Sequence, residues 1–428
     1  MTIAIIFAVL VALIIVGLPI AVAMGITTIG AMLALGDQQL LVAVPQRMYS
    51  ATTSFPLLAI PFFIFAGNLM NSGGMTDRIF RFARCCVGHI KGGLGHVNVV
   101  ASMIFSGMTG AALADAMGVG VVTISAMEKG GYDRRFAAAI SAASATIGPV
   151  IPPSIPMVIF GAITGTSVGR LFLGGVVPGL VMGLVLMATV YMIARRRGYP
   201  QERRATAREF WHGLVAGLLA LAMPGIVIGG ILSGAFTPTE ASVIASLYAL
   251  LLGLLVYREI GWRKLADVIW ESVDQTVRVM FIIATAGVFG WYLVYLGAPD
   301  RVIRGLLTFS DDPWAVLTVI NLVLLVLGCF MEGTAIMLLT VPILMPVIAK
   351  VGIDPVHFGV TMTLNLMIGM LTPPVGMVLY AISSVGRIPV WTLAKDLTPY
   401  IIALMVALAL VTYVPSVVVW LPNLLMGG

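Results

Sequence analysis

The decapeptide Ile147-Gly148-Pro149-Val150-Ile151-Pro152-Pro153-Ser154-Ile155-Pro156 interrupts an apolar segment, residues 134–164, that would otherwise read as one helix. Proline removes an amide donor and clashes with the preceding turn, so it cannot sit quietly in a helix interior. The flanking pieces, 134–147 and 154–164, are each shorter than the roughly 20 residues that one bilayer span needs. A second interruption, Met370-Leu371-Thr372-Pro373-Pro374, divides residues 355–385 into 355–369 and 376–385 in the same way.

The two interruptions are related by one shift. Adding 221 takes Gly148 to Gly369, Pro152 to Pro373 and Pro153 to Pro374. It also takes Gly107 to Gly328, Ala114 to Ala335, Lys129 to Lys350, Gly131 to Gly352 and Asp133 to Asp354. Apolar matches alone would be weak evidence. A Lys-x-Gly-x-Asp and a Pro-Pro at the same shift, close to half the 428 residues, point to an internal duplication.

Ahead of each broken segment lies a stretch too long for one span. Residues 94–127 are divided by Ser106-Gly107-Met108-Thr109-Gly110, and residues 313–349 by Gly328-Cys329-Phe330-Met331-Glu332-Gly333. Both read as re-entrant hairpins. The remaining apolar runs, 2–16, 19–36, 54–71, 170–194, 210–232, 240–257, 268–296 and 391–420, read as spans. Two amphipathic pieces, 75–90 and 300–308, read as helices lying in the interface. In the first, Arg78, Arg81 and Arg84 alternate with Ile79, Phe80 and Phe82. The composition agrees, with 60% hydrophobic and 10% charged residues and a mean hydropathy of +1.07. A soluble domain carries about 25% charged residues. These values exclude a cytosolic enzyme and a nucleic-acid binder, and the long non-alternating runs exclude an outer-membrane barrel. The fold class is an all-α polytopic membrane protein.

Parity orients the two halves. Five crossings separate the Lys129 and Lys350 loops, so these loops face opposite sides and the repeats are inverted. The expected first repeat is 1–209, with scaffold 1–74, arm 75–90, hairpin one 94–127 and broken helix 134–164. The second is 210–428, with scaffold 210–296, arm 300–308, hairpin two 313–349 and broken helix 355–385. Eighteen Lys and Arg residues, including Arg195–Arg208, fall on one face and five, Arg47, Arg170, Arg301, Arg304 and Lys350, on the other. The basic face is therefore expected to be cytoplasmic. The N-terminal Met1-Thr2-Ile3 has no basic leader region and reads as the start of a retained span, not a removed signal peptide.

Breaking a helix within a membrane frees carbonyls and amides that lipid cannot satisfy. Such breaks persist where an ion or substrate takes those bonds: carbonyls suit Na+, and helix N-termini suit carboxylates. Ser106, Thr109, Thr372 and the backbones of Gly148 and Gly369 are the candidate oxygen donors. Asp115 and Glu332 are ionisable groups within spans and so candidates for a role. A plainer role for Glu332 is to cap the second arm of its hairpin, and for Asp115 to pair within the bundle. Cys85, Cys86 and Cys329 form no disulfide or metal pattern, and the four histidines lack ligand spacing. Gly165-Thr166-Ser167-Val168-Gly169 fits a hydrolase elbow by letter but lacks the preceding strand. Gly179/Gly183 and Gly225/Gly229 allow close helix contact.

Three runs carry a resemblance: Tyr132-Asp133-Arg134-Arg135-Phe136-Ala137-Ala138-Ala139, Gly148 to Pro156 as quoted above, and Leu171-Phe172-Leu173-Gly174-Gly175-Val176-Val177-Pro178-Gly179. With Met331-Glu332-Gly333-Thr334-Ala335 and Leu371-Thr372-Pro373-Pro374-Val375-Gly376, they make the chain resemble the large membrane subunit of TRAP (tripartite ATP-independent periplasmic) transporters over essentially its whole length. The resemblance implies an elevator-type ion transporter of the bacterial inner (cytoplasmic) membrane that imports an organic acid with Na+ as coupling ion. It implies two partners, a periplasmic substrate-binding protein and a small four-helix membrane subunit, the latter expected as a separate chain. It places one Na+ site at Ser106, Thr109, Gly148, Ile151 and Pro153, and the other at Gly328, Gly369, Thr372 and Val375. Substrate is expected near Ser106, Thr109, Glu332 and Thr334. Thr109-Gly110-Ala111 departs from the Ser-Gly-Ser found at the first tip in many relatives. An alternative with related architecture is a stand-alone Na+/dicarboxylate or citrate-type symporter, although the Ser-Asn-Thr tips of that family are absent. On the sparsely charged face, Arg47, Arg170, Asp300, Arg301, Arg304, Asp311 and Asp312 are candidates for docking a binding protein.

Overall fold

The computed structural model describes residues 2–310 and 312–427, the side chains of 306–309 excepted. Met1 and Asp311, both singled out above, lie outside the described residues. Among the described residues every regular element is helical. The first half runs α1 (Thr2–Ile15), α2 (Ile20–Ala34), α3 (Ala43–Thr52), α4 (Ala59–Ser72), α5 (Met75–Val87), α6 (Gly93–Thr109), α7 (Ala112–Lys129), α8 (Arg134–Ala145), α9 (Ile155–Thr164) and α10 (Val168–Arg197). The second runs α11 (Ala207–Leu232), α12 (Pro238–Leu251), α13 (Trp262–Tyr295), α14 (Ala298–Phe309), α15 (Pro313–Gly328), α16 (Gly333–Lys350), α17 (Pro355–Gly369), α18 (Met377–Gly386), α19 (Val390–Tyr413) and α20 (Ser416–Met426).

Seven helical stretches among the described residues are long and apolar enough to cross a membrane. Large apolar side chains point outward from several, including Leu184, Leu218 and Ile402, each at least 53% exposed. In water such a surface would drive aggregation; in lipid it needs no partner. The interior is continuous from α1 to α20.

The helix starts follow local chemistry. Asp133 caps α8, Ser154 caps α9, Asp312 caps α15 and Asp354 caps α17, each accepting an amide hydrogen from the first turn. Thr206 with Glu209 and Thr237 with Glu240 form reciprocal capping boxes at α11 and α12. Boundaries recur at the shift found in the sequence. α7 and α16 start at 112 and 333, and α8 and α17 at 134 and 355, each 221 apart.

α5 lies where the amphipathic reading put it and is clamped at both ends. Arg78 donates to Glu259 at 2.8 Å and stacks over Tyr257, 3.9 Å from the ring centre. Arg84 pairs with Glu202 at 2.6 Å. Its Met75, Ile79 and Ala83 face is buried.

Four expectations need correction. α6 continues through Ser106, Gly107 and Met108, and the first hairpin breaks only at Gly110–Ala111; Gly110 takes φ +61°, which a residue without Cβ adopts freely. Residues 391–420 are not one helix, since the chain turns at Val414–Pro415 and α20 follows. Residues 37–53, left between the expected spans 19–36 and 54–71, are mostly helical, with a 3₁₀ turn at Gln38–Val42 ahead of α3. Gly225 and Gly229 meet no neighbour within 4 Å, whereas Gly179 and Gly183 receive Ile151 and Met103. Spacing alone does not distinguish a packed glycine pair from an open one.

Candidate functional site

Each hairpin tip lies against the break of its own half. At the first, α6 and α7 end and begin around Gly110. A Cβ placed on Gly110 would lie 2.5 Å from the Pro153 carbonyl oxygen and 3.2 Å from the Ile155 amide. One on Gly107 would lie 2.7 Å from the Pro224 ring of α11. Glycine is therefore required at Gly110 because backbone occupies the space, and at Gly107 because a rigid proline ring does. Thr109 packs on Gly67 of α4, where a Cβ would lie 3.2 Å from its Cα. The Pro152–Pro153 bond is cis, as is Pro373–Pro374.

Below the tip, polar side chains tie α6 to α8. Asn98 donates to Ser141 at 2.6 Å, Ser102 to Ser144 at 2.9 Å, and Ser144 to the Asn98 side-chain oxygen at 3.1 Å. All four are buried. Unsatisfied, they would be costly in a low-dielectric interior; paired, they fix the register of hairpin against broken helix.

The second tip is tighter still. A Cβ on Gly328 would lie 2.9 Å from the Cα of Gly369, so the ends of α15 and α17 touch backbone to backbone. The Cys329 carbonyl accepts hydrogen bonds from the Val375 and Gly376 amides, at 3.0 and 3.1 Å. Further along, Asn365 of α17 donates to the Asn321 backbone carbonyl at 2.9 Å and to its side-chain oxygen at 3.0 Å. Asn365 stands 221 positions after Ser144, and each ties a broken helix to the first arm of its hairpin.

These paired tips and breaks, on a chain of apolar helices, raise the question of which proteins are built this way. A family model described as "Tripartite ATP-independent periplasmic transporter, DctM component" matches residues 7–417. The chain belongs to this family. A sialic acid TRAP transporter large permease protein from Vibrio cholerae is 48% identical over 89% of this chain and 90% of its own length. A C4-dicarboxylate TRAP large permease from Pseudomonas aeruginosa is 41% identical over 88% of each chain. A 2,3-diketo-L-gulonate TRAP large permease from Escherichia coli is 38% identical over 94% of this chain and 95% of its own. Among solved structures, the YdaH transporter of Alcanivorax borkumensis shares the fold, with a TM-score of 0.64, 14% identity, and coverage of 89% of this chain and 88% of that one. The chain is thus a TRAP large permease, a multi-pass membrane transporter component and not an enzyme.

Within this permease the residues singled out from the sequence fall into two groups. Ser106, Thr109, Gly148 and Pro153 are buried and Ile151 half-buried around the first tip. The Ser106 hydroxyl donates to the Ser102 carbonyl and the Thr109 hydroxyl to Asp115. Each hydroxyl spends its hydrogen on a neighbour and keeps its lone pairs. The Ile151 side chain fills the notch at Gly179, so only its backbone is free to serve the site. At the second tip Thr372 donates to the Ile368 carbonyl at 2.9 Å, and the Val375 side chain is 40% exposed. The two groups are separate clusters, each internal to its own half.

Glu332 takes the plainer of its two roles, capping α16 by accepting from the Ala335 amide at 3.1 Å. Thr334 is buried in the same first turn. Asp115 pairs within the bundle, with one oxygen left over. It is 1% exposed, one carboxylate oxygen accepts from Thr109, and the other, facing Gly148, has no hydrogen-bond partner. Its place six residues after Thr109, in the first turn of the returning helix, was the available signal. Ser167 is the N-cap of α10 and accepts from the Arg170 amide. Several docking candidates are engaged within the chain. Arg170 donates to Asn423 at 2.6 Å, Arg47 lies 4.8 Å from the Trp291 ring centre, and Asp312 caps α15.

Proposed function

We propose that this permease imports an organic acid together with Na+ across the bacterial inner membrane, the acid being delivered by a periplasmic binding protein and the scaffold flanked by a small four-helix membrane subunit. The observation that carries the reading is the pairing of each hairpin tip with a broken helix, at Gly110–Pro153 and Gly328–Gly369. The relatives named above are described as carrying sialic acid, C4-dicarboxylates and 2,3-diketo-L-gulonate, all organic acids. Membership of a tripartite family supports the two partners.

The donor set suits a hard monovalent cation. Carbonyls and hydroxyls from Ser106, Thr109, Gly148, Ile151 and Pro153 would hold one Na+, with the unpartnered Asp115 oxygen close by. Gly328, Gly369, Thr372 and Val375 would hold the second. Among the described residues no three His, Cys, Asp or Glu side chains converge as a transition metal would ask. Substrate would lie near Ser106, Thr109, Glu332 and Thr334, between the tips.

α6 and α15, of 17 and 16 residues, measure about 25 Å at 1.5 Å per residue, less than the roughly 30 Å hydrocarbon core. That supports re-entrant hairpins. The recurrence of helix starts at a 221-residue shift supports inverted halves, 1–209 and 210–428. In this reading the hairpins and broken helices (94–164 and 313–385) move as one body against scaffold 1–74 and 210–296, and the arms, 75–90 and 300–308, join the two. Uptake into proteoliposomes under an inward Na+ gradient tests the coupling. Equal uptake driven by a proton gradient without Na+ would remove it.

A further inference from the structure

A cavity of about 800 Å³ opens between α5 and the start of α11, well away from the tips. It lies on the face that the charge bias assigns to the cytoplasm. Arg81 and Arg84 of α5, Arg203 of the connecting loop, and Arg208 and His212 of α11 line it. Two acids are present, Glu202 and Glu209, and both are taken: Glu202 by Arg84, Glu209 by Arg203 and by the Thr206 cap. Arg81 makes one long bond, 3.4 Å, to the Asp77 carbonyl of its own helix. Arg208 has no hydrogen bond or ion pair among the described residues. Two guanidinium groups therefore face a concave, net-positive space with no anion to meet them.

Two of the cavity's basic residues, Arg208 and His212, begin a stripe of α11 that turns apolar beyond the cavity. Arg208, His212, Val215 and Leu219 are spaced i, i+4, i+7 and i+11 and share one stripe of α11. Val215 and Leu219 are 53% and 39% exposed. α11 is also the least enclosed of the candidate spans, with 22% of its apolar window buried. A soluble anion has no use for such a strip. A phosphate that carries hydrocarbon does. Arginine suits this ligand because its planar fork matches two phosphate oxygens at once.

We propose that this cavity binds an anionic phospholipid of the cytoplasmic leaflet, its phosphate held by Arg81 and Arg208 and an acyl chain laid along Val215 and Leu219. The lipid bridges the interfacial arm α5 to α11, which already touch where Cys85 meets Gly213 and where the Phe82 and Phe210 rings pack at a tilt with centres 6.0 Å apart.

Cys85 lines the same cavity and is half-buried, which supplies a footprint. The full chain carrying Cys86→Ser and Cys329→Ser is placed in nanodiscs of phosphatidylcholine with increasing phosphatidylglycerol, and the rate of maleimide labelling at Cys85 is followed. Phosphatidylglycerol is expected to slow labelling several-fold. In the Arg81→Gln/Arg208→Gln variant, the mole fraction giving half-protection rises roughly thirtyfold, about fivefold for each basic side chain lost at the membrane surface. Three results would overturn the proposal. One is equal labelling in both lipids. Another is equal protection by inorganic phosphate in pure phosphatidylcholine, which would mark a soluble-anion site. The third is protection that follows an added protein subunit and ignores the lipid. The comparison of lipids in the Arg81/Arg208 parent needs no arginine variant, so it holds even if the double variant fails to fold.

Discussion

Gly328 and Gly369 show most directly how single positions make this permease. Their backbones meet where any side chain would intrude, and backbone does not yield as a flexible side chain can. Gly328→Ala is expected to abolish uptake and to lower stability by about 1–3 kcal/mol, the usual cost of overpacking. Gly225→Ala, at a glycine with open space around it, is expected to leave both unchanged. Thermal unfolding in detergent alongside vesicle uptake separates the two; a Gly328→Ala protein with normal midpoint and transport would show that the tips can part freely. Thr372→Val tests the proposed second cation site. It keeps the shape and removes the hydroxyl, so the Na+ concentration for half-maximal uptake should rise while membrane insertion is kept. An unchanged Na+ dependence would take Thr372 out of the site. The glycines and prolines of both sites were legible because they break rules that apolar helices otherwise obey. The unpartnered oxygen of Asp115 was not, because a lone acid in a span reads alike whether both its oxygens pair or only one does.

At the scale of elements, the charge bias makes a claim about sides. With Cys85, Cys86 and Cys329 replaced, Pro200→Cys should resist an impermeant reagent added to intact cells, and Asp300→Cys should react. The opposite pattern would invert the topology. Caps make a second claim. Asp354 accepts from the Val356 and His357 amides, at 2.7 and 3.1 Å, and Asp354→Ala should cost about 1 kcal/mol while Asp354→Ser costs less. Equal midpoints for the two variants would show that α17 is held by packing alone. Apolar runs and proline breaks gave helix positions to within a few residues for most elements. The misplaced boundaries have separate causes. At Ser106–Thr109 a glycine was read as a break although α6 tolerates Gly107 by packing it on Pro224. At Val414–Pro415 a proline inside an apolar run was passed over. α3 carries Gln46, Arg47 and Ser50 and so looked like a loop, yet it packs on α13.

At the scale of the whole molecule, the proposed duplication accounts for helix starts that recur 221 residues apart. Each half supplies a hairpin and a broken helix, and each half ties them with its own buried polar pair, Ser144 with Asn98 and Asn365 with Asn321. Those ties were invisible in the sequence because their partners lie more than 40 positions apart and only folding brings them together. The paired tips alone do not separate a tripartite permease from a stand-alone carrier; family membership does, and it predicts dependence on partners. The central claim is therefore tested by reconstitution in liposomes under an inward Na+ gradient, with and without the binding protein and the small subunit. The account predicts Na+-dependent uptake of the bound acid only when both partners are present. Full-rate uptake of free acid by this chain alone would contradict it.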